Sequence, residues 1–357
     1  MKKFLLSVGI FLPLLMACGS SAQAGSTDVE GASAGAAAAV RDGVARQEKL
    51  GKFSTVSVEG IASVEYVTQA GGASYELICP ERLADKVKVS VAGGCLRIST
   101  DSKRLNMKSG ERILVRVKGP ALSGVSLTGT GSFKGDRLET SGEGFVRLGG
   151  TGNLSLDRTE AGSLLKAELD GTGNLSLGQI RAAGEALLSL NGTGNLRTES
   201  VEAGKRLGMS LNGTGLLDVK RMDATSCSIS LNGTGNCLVD GLRADGLNLA
   251  LDGTGRFNAA GIEVRKAEVR LGGTGNLALS GTADDLLLAN YGLGSLDAGA
   301  LKAKRADVRV KGNGTVACHA DETLRVKVTG RGRVTYSGNP AVTDETPQDK
   351  RYLQHVE

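Results

Sequence analysis

Leu188-Ser189-Leu190-Asn191-Gly192-Thr193-Gly194-Asn195-Leu196 is the stretch on which the fold turns. Leucine alternates with a polar residue before the glycines, which is the period of a strand with one buried face. Two glycines one residue apart break the run, and such a pair is hostile to helix. Outward from here the same corner recurs, with its first glycine at 129, 150, 171, 192, 213, 233, 253, 273, 292, 312 and 330. The step is 21 residues four times, then 20 three times, then 18 to 20. Eleven copies in register mark a solenoid.

The apolar positions repeat with the corner. Two residues before the first glycine stand Leu127, Leu148, Leu169, Leu190, Leu211, Leu231, Leu251 and Leu271, and four after it stand Phe133, Leu154, Leu175, Leu196, Leu217 and Cys237. A third short apolar run follows nine and eleven residues on, as in Ile180 with Ala182 and Val201 with Ala203. Three short strands and three corners in about 20 residues describe one rung of an all-β, right-handed parallel β-helix, the hand following the usual crossover preference. Stacked at roughly 4.8 Å, the rungs would extend on the order of 50 Å. The corner glycines are expected to supply positive φ, and the asparagines beside them to tolerate it. Columns of Asn and Thr are expected to hydrogen-bond from rung to rung.

The ends differ from this array. Residues 1–17 read as an export signal, with Lys2 and Lys3 before the apolar run Phe4 to Met16, which is too short to span a bilayer as a mature helix. Leu15-Met16-Ala17-Cys18 resembles a bacterial lipobox, which makes Cys18 the expected lipidation site. Residues 18–50, rich in Gly, Ala and Ser, read as a flexible tether. Residues 51–120 alternate like strands but lack the Gly-Thr-Gly corner, and read as an N-terminal cap layer over the open end of rungs 121–340. Residues 341–357 read as a loose polar tail.

Phe53-Ser54-Thr55-Val56-Ser57-Val58-Glu59-Gly60, then Val64-Glu65-Tyr66-Val67-Thr68-Gln69, the Gly-x-Gly rungs, and the closing Gly330-Arg331-Gly332-Arg333-Val334-Thr335-Tyr336-Ser337-Gly338-Asn339-Pro340 together resemble the GIN-domain family. That family is described as an auto-transporter adhesin head and occurs largely in envelope proteins of Bacteroidota. The resemblance spans roughly residues 41–340 and implies a β-helical fold and an adhesive role. It brings no catalytic residues with it. The array here is longer and more regular than the family pattern requires.

Composition narrows the function. The formal charge of +5 becomes 5 − 2 = +3 without Lys2 and Lys3, too mild and dispersed for a nucleic-acid partner. His319 and His355 are the only histidines, so a Ser-His-Asp or His-rich metal site is not expected, and His319 reads as an ordinary residue of the last rungs. The Gly-Gly-Thr-Gly-Asn run lacks the period of nine of a calcium roll, the Asn-Gly-Thr triplets read as turns, and no helix follows the glycines to make a nucleotide loop. Outward acids such as Asp157, Glu160, Glu202, Asp223 and Asp240 look scattered, and tryptophan is absent. Asn290-Tyr291-Gly292-Leu293-Gly294 breaks the pattern, reading first as a local bulge or register shift and second as a binding spot at Tyr291. Besides Cys18, five cysteines remain, which an oxidising envelope would permit to pair as Cys79–Cys95 and Cys227–Cys237, with Cys318 left over. The expectation is a non-enzymatic, lipid-anchored envelope protein, without catalytic residues, metal or cofactor, facing the outer membrane or periplasm. Its partners would be the membrane and glycans or envelope or host proteins. The alternative is a polysaccharide-binding or polysaccharide-degrading β-helix protein.

Overall fold

A computed structural model describes residues 44–101, 106–347 and 352–357. The export signal, Cys18 and the tether as far as residue 43 lie outside the described residues. The chain winds into a parallel β-solenoid of about 11 turns, about 20 residues each. Successive coils pair in register: Leu148 lies against Leu169, Leu169 against Leu190, Leu190 against Leu211, and Leu211 against Leu231. Residues that repeat in the sequence therefore stack in columns. The leucine column from Leu127 to Leu271 is 1% exposed or less. By transfer estimates each such leucine contributes about 1.5–3 kcal/mol, an upper figure for a chain already partly collapsed when unfolded.

The corners do not work as expected. Of the first glycines in the array only Gly129 has positive φ. What the others provide is room. A Cβ on Gly171 would stand 1.8 Å from the Gly150 oxygen, and one on Gly192 1.8 Å from the Gly171 oxygen. Those same oxygens accept the next coil's hydrogen bonds, from Thr172 N at 3.0 Å and Thr193 N at 3.1 Å. The interstrand bond draws the backbones together where a side chain would begin, so only glycine fits. Positive φ is needed instead at Gly93 and Gly94, the two-residue turn between Val87–Ala92 and Cys95–Thr100.

At the N-terminal end coil order departs from chain order. Thr55–Gly60 lies between Cys95–Thr100 and Gly124–Gly129, and Ser63–Thr68 between Leu114–Gly119 and Ser132–Thr140. Residues 53–69 are thus a full coil, with Gly60 and Ala62 directly below Gly129 and Gly131. Below it the ladder turns antiparallel: Val87–Ala92 pairs with Cys95–Thr100, Ala73–Ile78 with Leu114–Gly119, and Val44–Leu50 with Ala73–Ile78. The last seven residues of the expected tether are therefore a strand, held further by Arg46 donating to the Ala84 carbonyl at 2.9 Å. Phe53, Tyr66 and Phe133 fill the junction, with ring centroids 6.4 and 6.2 Å apart along the series.

The tail departs from expectation as well. Ala341–Asp344 pairs with the preceding coil through Thr323 to Val326, and Leu353–His355 pairs with Val334 to Tyr336. Rather than hanging loose, these strands satisfy backbone groups that the last coil would leave bare.

Candidate binding surfaces

The Gly-Thr-Gly corner carries the most regular surface. Asn191, Asn212 and Asn232 each donate from Nδ2 to the residue one coil before, at 2.8, 2.9 and 3.0 Å, with Asp170 as first acceptor. Asn195 donates to Asn174 and Asn174 to Asn153, both at 2.9 Å. Every amide points the same way along the stack. The expected ladder is carried by the amides, and the threonines between them, from Thr130 to Thr274, stay exposed.

One coil interrupts this surface without any slip. Asn290 keeps the inward position, between Leu271 and Val310, so the bulge or register shift expected here does not occur. Asn290 is fully buried, accepts from Gly292 N at 3.0 Å, and donates to the Gly294 and Thr315 carbonyls at 3.1 and 3.3 Å. A buried amide is tolerable when so satisfied. Outside it stand Tyr291, 42% exposed, and Leu293, 64% exposed, with the Lys311 ammonium 5.4 Å from the tyrosine ring centroid.

The third corner forms an open groove of about 890 Å³ along coils of the 21-residue step. Its floor is small, with Ala161, Gly162, Ala182, Ala183, Ala203 and Gly204. Its wall corrects the impression of scattered acids: Glu139, Glu160, Arg181, Glu202 and Asp223 are register partners in one column. Asp157 and Asp240 lie outside that column, and Asp240 pairs with Lys220 at 3.1 Å. Arginines answer the carboxylates, Arg137 to Glu139 at 3.6 Å, Arg158 to Glu160 at 3.9 Å and Arg181 to Glu202 at 3.1 Å. The five positions follow one another at a constant step of 21 residues, and the change from carboxylate to guanidinium at Arg181 is what hid the column.

His319 has partners that sequence reasoning missed. Its Nδ1 lies 2.9 Å from Ser337 Oγ and its Nε2 2.9 Å from Asp321 Oδ1. In serine hydrolases the carboxylate bonds Nδ1 and the serine Nε2, the reverse of this order. The legible signal was the 18-residue step from His319 to Ser337, one coil. Nearby, His355 donates to the Gly338 carbonyl at 2.9 Å and its ring lies 4.8 Å from that of Tyr336.

The permitted disulfides do not form, because Cys95, Cys227 and Cys237 are free thiols, as is Cys318. Cys227, Cys237 and Cys318 occupy inward positions and act as small hydrophobes. Burial pushes the Cys227 and Cys318 thiols up to about 12, and the Cys237 thiol higher still. Among the described residues no group of three His, Cys, Asp or Glu is placed to hold a metal ion, and no helix is long and apolar enough to cross a membrane.

Fold and surface together define a class: a parallel β-solenoid whose outside is a set of repeated polar columns. The chain belongs to the family described as "Putative auto-transporter adhesin, head GIN domain", which it matches over residues 52–240, 179–277 and 227–340. Solved structures that match include a putative lipid binding protein from Parabacteroides distasonis, at 15% identity, 87% of this chain, 96% of that one and a TM-score of 0.32. A putative adhesin from the same organism matches at 15% identity over 87% and 95% of the two chains, with a TM-score of 0.29. A putative cell adhesion protein from Clostridium sporogenes matches at 11% identity over 52% and 98%, with a TM-score of 0.23. No curated protein matches.

Proposed function

We propose that this protein is a non-enzymatic, adhesin-like lipoprotein of the cell envelope, anchored through Cys18 and presenting its solenoid for adhesion or scaffolding. The observation that carries the reading is the repetition of the surface itself. A corner that offers the same Asn and Thr groups coil after coil suits weak contacts made many times over, where effective concentration rather than any single site supplies the strength. Membership of the adhesin-head family supports it.

The test is protease treatment of intact cells with an antibody to the solenoid and a periplasmic control. Loss of the solenoid signal with the control preserved is expected; protection of both would remove adhesion to external surfaces from consideration. In parallel, Cys18→Ala is expected to leave the membrane fraction, and retention there would contradict the lipid anchor.

A second reading, a polysaccharide-degrading protein, is favoured by one observation, the column of carboxylates in the groove. Against it, Glu139, Glu160 and Glu202 each face a guanidinium, whereas glycoside hydrolysis needs one carboxyl that delivers a proton. Release of reducing ends from polysaccharide by the protein, lost in Glu160→Gln, would establish this reading.

A further inference from the structure

The coil at residues 290–294 gives up three folding conveniences at once, in register. An inward leucine becomes Asn290, the ladder asparagine becomes Tyr291, and the corner threonine becomes Leu293. Neither exposed side chain serves the fold. Tyr291 follows Gly272, where the amide ladder has already stopped, Leu293 leaves 64% of its surface in water, and Asn290 occupies a core position that leucine fills in eight other coils. Exposed apolar and buried polar residues are the informative exceptions to ordinary patterning. The amide of Asn290 ties Gly292, Gly294 and Thr315 into one fixed corner, so the two exposed side chains stand on a rigid base.

The column running through Tyr291 is equally specific. One coil before it stands Gly272, which brings no side chain, and one coil further back Asp252, whose Oδ1 leans to within 2.1 Å of where a Cβ on Gly272 would be. One coil after it Lys311 sits over the ring. Carboxylate, gap, aromatic ring and ammonium thus follow one another at the coil spacing, roughly 4.8 Å.

We infer that Asp252, Gly272, Tyr291, Leu293 and Lys311 form a binding site for one neutral hexopyranose residue of a glycan, stacked on the Tyr291 ring above the Gly272 notch. The inference rests on the adhesive reading and names its ligand class. A pyranose ring has an apolar face of C–H groups and a rim of hydroxyls; Tyr291 and Leu293 meet the first, Asp252 accepts from the second and Lys311 donates to it. The side chains are too few for a protein partner, which needs upward of about 1,000 Å² of buried surface. An acidic sugar would meet the Asp252 carboxylate and be disfavoured.

The experiment is calorimetric titration of the full chain, in detergent, with cellohexaose, maltohexaose and chitohexaose. Tyr291→Asn puts the side chain that this column carries at Asn191, Asn212 and Asn232 in place of the ring, and Gly272→Asn fills the notch while leaving the ring untouched. The only close atom at Gly272 is the end of the flexible Asp252 side chain, so this variant is expected to fold. At least one hexasaccharide is expected to bind, with affinity reduced tenfold or more in each variant and Tm unchanged. Binding of none of the three, or equal binding by wild type and both variants, overturns the site. Either failure beside a positive cell-shaving result would leave the adhesive reading standing without this site.

Discussion

At Gly171, Gly192 and Gly233 the nearest obstacle to a Cβ is a carbonyl oxygen of the coil before, 1.8 to 2.0 Å away. Backbone cannot step aside as a side chain can. Gly171→Ala is therefore expected to destabilise the protein by about 3 kcal/mol or more, at the upper end of overpacking costs. Gly246→Ala, where nothing lies within 4 Å and φ is not positive, is expected to be neutral or slightly stabilising. Equal effects in urea denaturation would refute the close-approach account. Thr159 tests the opposite fault, since its hydroxyl is buried without a partner in a column of Leu138 and Ile180. Thr159→Val keeps the shape and is expected to gain about 1 kcal/mol. The thiols give a pH signature. With Cys227 and Cys318 held up to about 12 against an ordinary 9.0, they stay protonated in the fold where the unfolded chain would ionise. Their stabilisation is complete below pH 9 and is lost as pH rises towards 12. At pH 8 both therefore stay thiols and are expected to resist iodoacetamide until unfolding. Rapid native alkylation of either would contradict their burial.

Between residue and molecule stand the strands that close the stack. The N-terminal end is finished by antiparallel pairing, with Val44–Leu50 and Val87–Ala92 outermost. The outermost strands carry Arg46, Glu48, Lys49 and Lys88, and charged residues on an edge discourage further pairing. At the other end, Ala341–Asp344 and Leu353–His355 lie over the last coils. Removing residues 341–357 is expected to lower Tm by several degrees and to promote self-association by light scattering; an unchanged monomer would show that the tail does not protect this edge. How much of this was legible follows from repetition. The coils from 121 onward were readable because each copies its neighbour, so identity at one position forecasts contact at the next. The cap was readable as strands but not in its order, because Thr55–Gly60 meets Cys95–Thr100 across a hairpin whose pairing leaves no repeat in the sequence. The tail strands are four and three residues long, too short for a period to register. Likewise the corner glycines were recognised but their reason was not. Sequence shows that a side chain is missing; only the distance to the Gly150 oxygen shows what stands in its place.

On the scale of the molecule, every surface described here is a column, and each depends on the same register. The amide ladder, the carboxylate column in the groove and the sequence Asp252, Gly272, Tyr291, Lys311 all dissolve if consecutive coils are not stacked like on like. Shared position also explains why the groove escaped sequence reading while the corner did not: the corner keeps its glycines, whereas the groove column changes chemistry from Glu160 to Arg181. The measurement that tests this most directly is pulsed electron resonance between spin labels on exposed corner positions, in a chain with Cys95→Ser and the buried thiols left unlabelled. Thr130→Cys is paired in turn with Thr214→Cys, Thr254→Cys and Asn313→Cys, which lie four, six and nine coils away. The register account expects separations of about 19, 29 and 43 Å, growing by about 4.8 Å per coil. Separations that fail to grow in proportion to coil number would contradict the stacking, and with it every surface built upon it.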